Sequence, residues 1–145
     1  MEVLSKNKIK WIRSLRLKKN RIEEQKFVVE GEKMVSELMH THAELIDFIV
    51  TSDPDFQSTN EHYLANSKSF EQISSLTTPN KMLAVVKMPT HQVLNPQFII
   101  AIDGVQDPGN LGTILRTCDW FGVTNIVCST DTVDAFNHKT VQSAK

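Results

Sequence analysis

Cysteine, glycine and proline are all scarce in this 145-residue chain, at two, five and five residues. Cys118 and Cys128 have no CxxC spacing and are too few for a disulfide framework, so buried, reduced thiols are expected. Few glycines and prolines beside 40% apolar residues argue against a disordered chain. Long apolar runs are missing as well. The longest, Phe98 to Ile102 and Leu83 to Val86, fall far short of the roughly 20 residues a membrane helix needs, and Met1 leads into charged residues rather than a signal-peptide core. A soluble, cytoplasmic protein with no membrane partner is expected. Metal-ligand spacing is also lacking: His40 and His42 point apart on a helix, and His62, His91 and His138 stand alone, so no metal site is expected.

A large net charge is the last absence, and it is deceptive. The formal charge of -1 is a sum over an uneven chain. Residues 1–26 carry nine basic residues, Lys6, Lys8, Lys10, Arg13, Arg16, Lys18, Lys19, Arg21 and Lys26, against three acidic ones, a local +6, while the remainder stands at -7. A basic arm on an acidic body can bind phosphates by releasing their counterions. Within the arm, Ile9, Trp11, Ile12 and Leu15, with Leu17 just beyond, recur at helical intervals among the cations, giving a basic amphipathic helix. Two readings fit it: a surface helix whose Trp11 packs on the body, or a contact for RNA.

Further along, Phe27-Val28-Val29, Leu45 to Val50, Tyr63-Leu64-Ala65 and Met82 to Val86 read as strands, separated by helical patterns at Met34 to Met39 and Phe70 to Leu76. This alternation predicts a parallel-type α/β sheet of about four strands. Pro89 and Pro96 bracket a polar stretch without periodicity, which sets domains at 1–90 and 97–145 with a linker over 91–96. The second domain opens with Phe98 to Ile102, a run continuous enough to be buried on both faces. A loop over 103–110, a helix over about 111–121 and a strand over 123–128 complete a β-α-β unit with parallel strands. A further helix begins near Asn137.

Four of the five glycines, Gly104, Gly109, Gly112 and Gly122, surround this strand-loop-helix junction, the place where α/β proteins put ligands. Asn110, between Gly109 and Gly112, suits a helix start where backbone N–H groups meet an anion, or equally an ordinary N-cap. Asp107 and Pro108 form the turn before it. On the helix, Leu111, Ile114, Leu115 and Cys118 make the core stripe, and Thr113, Arg116, Thr117 and Trp120 face the other way. Arg116 either reaches a ligand shared with Asn110 or pairs with Asp119 at i+3. Trp120 beside it implies a cover: another domain, a second subunit or RNA. Neither GxGxxG nor GxxxxGK[ST] is present, so a nucleotide-binding fold rests on the β-α-β opening alone.

The stretch Asp103 to Thr117, DGVQDPGNLGTILRT, followed by Phe121-Gly122-Val123, closely resembles the first motif of the SpoU (TrmH-type) RNA ribose 2'-O-methyltransferases of the SPOUT superfamily. Phe27 to Glu32, Thr77-Thr78-Pro79 and Leu83 to Val86 resemble their substrate-binding domain. The resemblance implies an α/β protein: an L30e-like α/β/α N-terminal RNA-binding domain, then the first β-α-β portion of a SPOUT α/β-knot domain, with the knot missing. It implies methyl transfer from S-adenosylmethionine to a ribose 2'-hydroxyl, ribosomal RNA favoured over transfer RNA, and a homodimer in the complete protein. Asn110 and Arg116 align with the motif's Asn and catalytic Arg, and Asp107, Pro108, Gly109 and Gly112 with the residues that shape its loop. The second and third motifs, which carry the cofactor pocket, are expected after Lys145, so the 145 residues alone are expected to be inactive. A non-catalytic RNA-binding protein or fragment is the alternative reading.

Overall fold

The computed structural model describes residues 1–90 and 97–144, and the expected linker over 91–96, with His91, lies outside them. The chain divides into two compact units, Met1–Pro89 and Thr90–Lys145.

The first unit is a five-stranded sheet between helices. Its elements are β1 (Glu2–Val3), α1 (Lys6–Ser14), α2 (Lys18–Glu24), β2 (Lys26–Glu30), α3 (Glu32–Thr41), β3 (Ile46–Thr51), β4 (His62–Leu64), α4 (Ser67–Ile73) and β5 (Met82–Lys87), with spatial strand order β1-β4-β3-β5-β2. Side chains alternate across the sheet. Phe48 and Val50 of β3 and Leu83 and Val85 of β5 join Ile9, Ile12, Phe70 and Ile73 of α1 and α4 in one apolar cluster. On the other face α3 packs against β2 and β5 and buries Val35 completely.

The sheet is mixed, not the four-stranded parallel type expected. β1 and β3 lie parallel to β4, but β5 is antiparallel to both β3 and β2. The reason is the length of α4. β4 finishes beside Thr51 (Thr51 opposite Leu64) and β5 starts beside it (Thr51 opposite Met82). Seven residues of helix, about 10 Å, turn the chain round at one end of the sheet instead of carrying it back. β1, two exposed residues without an apolar run, gave no sequence signal.

The basic arm is two helices rather than one. Ser5 caps α1, its Oγ accepting from the Lys8 N–H at 3.2 Å, and the chain breaks at Leu17, which is extended and 64% exposed. Arg21 holds the break. Its guanidinium donates to the carbonyls of Leu15 (3.0 Å) and Arg16 (2.8 Å), while Asn20 Nδ2 donates to Ser14 O (2.9 Å), so groups left open at the end of α1 are satisfied by the first side chains of α2.

The second unit contains β6 (Ile100–Ile102), α5 (Pro108–Trp120), β7 (Ile126–Cys128) and α6 (His138–Ser143). β6 and β7 pair in parallel, as expected for the β-α-β unit. The run 98–102 is not buried on both faces. Phe98 and Ile99 precede the strand and are 65% and 48% exposed, and Ala101 and Val127 are exposed on one open face of this two-stranded sheet. Cys118 is buried as expected, but Cys128 is exposed near that open sheet, which corrects the expectation of two buried thiols.

Tyr63, the single tyrosine, is buried, meets Phe48 edge-on at 5.4 Å and donates its hydroxyl to Glu61 Oε1. That bond, then burial and the surrounding carboxylates, push its pKa from 10.0 up to about 12. A raised folded-state pKa stabilises the fold fully below the unfolded value and loses that contribution as pH rises from 10 towards 12. Tyrosinate absorbance should therefore show half-ionisation near 12 in the native protein, and at a lower pH, still above 10.0 because burial, Glu2 and Asp47 remain, after Glu61→Ala. Ionisation near 10 in the unaltered folded chain would contradict the assigned bond.

Candidate active site

The site of interest is the loop from Asp103 to Asp107 with the helix it feeds, at the carboxyl ends of β6 and β7. Gly104 takes a left-handed conformation, φ 67°, where a side chain would be strained. This turns its N–H onto Ser129 Oγ at 2.8 Å. Ser129 in turn donates to Asp131 Oδ1 (2.6 Å) and shares a hydrogen bond with Thr132 Oγ1 (2.8 Å), while the Val133 N–H donates to Val105 O (2.9 Å). The segment 129–133 therefore braces the glycine loop from the neighbouring strand. These bracing residues went unnoticed in the sequence, although the polar run Ser129 to Thr132 directly after a strand parallel to β6 is where such a brace would fall.

Asp107, not Asn110, caps the helix. Its Oδ2 accepts from the Asn110 N–H at 2.8 Å, its carbonyl accepts from Leu111 at 3.0 Å, and Pro108 fills the first helical position, where no N–H is needed. The helix thus starts three residues earlier than expected. Pro108 has no N–H and that of Asn110 is capped, so within the first three helical positions only Gly109 keeps an N–H without an acceptor among the described residues. The expected array of free N–H groups for an anion is mostly filled by the protein itself.

Gly109 and Gly112 serve close approach rather than a special backbone angle, since neither has a positive φ. A Cβ on Gly112 would lie 2.5 Å from Ser143 Cβ and 2.5 Å from Thr140 O, so α6 rests its backbone directly on α5. Thr140 and Leu111 are fully buried at this contact. The core stripe holds for Leu111 and Cys118, while Ile114 and Leu115 are half-buried.

The other face of α5 is open. Thr113, Arg116, Thr117 and Trp120 are all exposed, Trp120 at 85%, and the two threonines donate to the carbonyls four residues earlier. The side chains of Asn110 and Arg116 make no hydrogen bond or ion pair among the described residues, so the pairing of Arg116 with Asp119 does not form. Nor does α5 bring Asn110 and Arg116 together. Both are helical, and six positions place them about 120° apart around the axis and about 9 Å along it. A hollow of about 400 Å³ lined by Phe98, Phe121 and Asn125 lies at the amino ends of the two strands, away from this loop. Among the described residues no group of three or more His, Cys, Asp or Glu could hold a metal ion. Although Cys128 is exposed, partial desolvation of its thiol pushes the pKa up, which disfavours a thiolate there.

The cations of the first unit are not equivalent. Lys6, Lys10, Arg13, Lys18 and Lys19 are exposed. Lys8 is half-buried, with its ammonium 4.9 Å from the ring centres of both Phe48 and Tyr63. Arg16 donates to the carbonyls of Gln72 (3.1 Å) and Ser74 (2.6 Å). Arg21 is 3% exposed and turned onto the carbonyls of the arm, which removes it from the expected phosphate contacts.

Comparison with known proteins matches both units. Residues 6–84 match the MRM3-like substrate binding domain and residues 97–145 the SpoU rRNA Methylase family. The 23S rRNA (guanosine(2553)-2'-O)-methyltransferase RlmP of Bacillus subtilis is 32% identical over the whole of this chain, which spans 60% of that protein. A TrmH-family protein of Porphyromonas gingivalis superposes with a TM-score of 0.84 at 37% identity, covering 98% of this chain and 59% of its own. The AdoMet-bound rRNA methyltransferase of Sinorhizobium meliloti gives 0.83 at 29% identity, covering 99% and 59%. The chain therefore spans about three-fifths of the length of these relatives.

Replacing Gly112 by alanine should force α6 off α5 and cost about 1–3 kcal/mol, read as a lower urea midpoint with faster amide exchange in α6. An unchanged midpoint would show that the two helices do not meet backbone to backbone.

Proposed function

Because the chain belongs to the SpoU (TrmH-type) RNA methyltransferase family, we propose that the protein it represents transfers a methyl group from S-adenosylmethionine to a ribose 2'-hydroxyl of RNA, ribosomal RNA foremost. The observation that carries this reading is the exposed Arg116, a cation with no partner among the described residues, on the outward face of the helix that follows the braced glycine loop.

Arg116 does not act as a base, since its guanidinium stays protonated. It holds the target phosphate, whose oxygen takes up the 2'-hydroxyl proton, and stabilises the alkoxide that develops on the 2'-oxygen as that proton leaves. Asn110, three positions into the helix and free at its amide, orients a neighbouring polar atom of the RNA or of the residues that complete the site. Asp107, Pro108, Gly109 and Gly112 keep that first turn in place.

S-adenosylmethionine would supply the methyl group. The residues described do not form a cradle for it: the Gly104 N–H, Ser129, Thr132 and the first-turn N–H of Asn110 are satisfied within the protein.

The exposed basic residues of α1 and α2, Lys6, Lys10, Arg13, Lys18 and Lys19, meet RNA phosphates in this reading. The exposed Phe98, Trp120, Phe121 and Val127 are covered in a homodimer, and a cytoplasmic location belongs to the same proposal.

In the protein carrying the complete catalytic domain, Arg116→Ala should abolish methyl transfer while leaving RNA affinity within a few-fold. Retained turnover would remove the catalytic role, and RNA binding without transfer in the unaltered protein would favour a non-catalytic binder. Neutralising Lys6, Lys10 and Arg13 should flatten the dependence of log K on log salt by about 0.7 to 0.9 for each phosphate that the arm no longer neutralises. An unchanged slope would place the RNA elsewhere.

A further inference from the structure

An open cleft of about 520 Å³ in the first unit, within the range of small-ligand sites, is lined by Lys8 and Trp11 of α1, Lys26 of β2, Asp47 and Phe48 of β3, and Glu61 just before β4. We propose that it receives one unpaired nucleobase of single-stranded RNA, a base bearing an exocyclic amine. The inference rests on the RNA-binding reading above and extends it to a place where a base, not only its phosphate, is held.

Three observations carry it. First, the cleft has aromatic faces: Trp11 and Phe48 stand 6.1 Å apart at 37°, and Trp11 is only partly buried. Every nucleobase has a flat face that stacks on such a ring. Second, two ammonium groups already lie against the rings, Lys26 5.4 Å from the centre of Trp11 and Lys8 4.9 Å from that of Phe48. A cationic ligand, such as a methylated lysine, would be repelled from the positions these lysines fill. A base entering over Trp11 would instead move Lys26 aside, towards the phosphate that arrives with it. Third, the cleft is lined by carboxylates. Asp47 Oδ2 lies 2.7 Å from Lys26 Nζ, and Glu61 accepts the Tyr63 hydroxyl. Displacing Lys26 leaves Asp47 as an acceptor facing the base edge, which suits an amino donor such as that of cytosine and disfavours a carbonyl oxygen.

The chain has two tryptophans, and Trp120, which belongs to the second unit and does not line the cleft, can be replaced by phenylalanine so that Trp11 alone reports. This variant would be titrated with a 5'-labelled oligocytidylate, an oligouridylate of equal length and a fully paired RNA duplex, following label anisotropy and Trp11 fluorescence together. Single strands are expected to quench Trp11 as they bind, the duplex to bind without quenching, and cytidylate to bind about tenfold tighter than uridylate, a preference that Asp47→Asn reduces to within twofold. Quenching requires no change at the cleft, so the proposal does not depend on the folding of an altered cleft. Anisotropy rising while Trp11 stays unquenched would overturn the cleft and leave RNA binding standing. No rise with any RNA would overturn both.

Discussion

The first unit is organised by β5, the strand held antiparallel on both sides. Met82 to Val86 are all buried, so each backbone group in the run is remote from water and must find its partner in β2 or β3. Fixing those two registers fixes the rest. Leu83 and Val85 are committed to the face covered by α1 and α4, Ala84 lies opposite both Val29 and Ile49, and α3 closes over the other face. A slip by one residue would exchange the two faces and strand the whole apolar set in the wrong layer. The basic arm inherits its position from this arrangement, because Ile9, Ile12 and Leu15 anchor it to the cluster β5 helps to build.

The second unit relies on a different device: small residues and short polar side chains at points of contact. Ser129 receives the Gly104 N–H, Asp107 closes the first turn of α5, and the missing side chain of Gly112 admits α6. None of these contacts involves the outward face of α5. That face can therefore carry Arg116 without a structural partner, while the helix beneath it is fixed from behind. Such a division suits a site whose reacting group must be held in place but left free to meet a ligand.

Much of this was readable in the sequence because the signals were local. The strands around Val28, Phe48 and Val85, the β-α-β order of the second unit and the outward set Thr113, Arg116, Thr117 and Trp120 all follow from periodicity within a dozen residues. What escaped was set by distant parts of the chain. The direction of β5 depends on where β4 ends, which no pattern inside β5 records. The role of Gly112 depends on Ser143, thirty-one positions later, and the brace from Ser129 on a residue twenty-five positions earlier. The burial of Arg21 likewise could not be told from its neighbours, since Lys18 and Lys19 share its charge yet are exposed, while Arg21 turns onto the carbonyls of Leu15 and Arg16. The pattern of glycines and apolar residues located the loop but placed Asn110 at its end, whereas the capping geometry puts that residue inside the helix.

The elbow between α1 and α2 divides the arm into two electrostatic regimes. The guanidinium of Arg21 is shielded from solvent and bound to carbonyl oxygens, so added electrolyte screens it little. The outer lysines sit in water, where a few hundred millimolar salt screens them almost fully. In the proposed contact with RNA, the arm thus releases a polyanion and keeps its own bend, returning to the next encounter already shaped rather than having to fold against it.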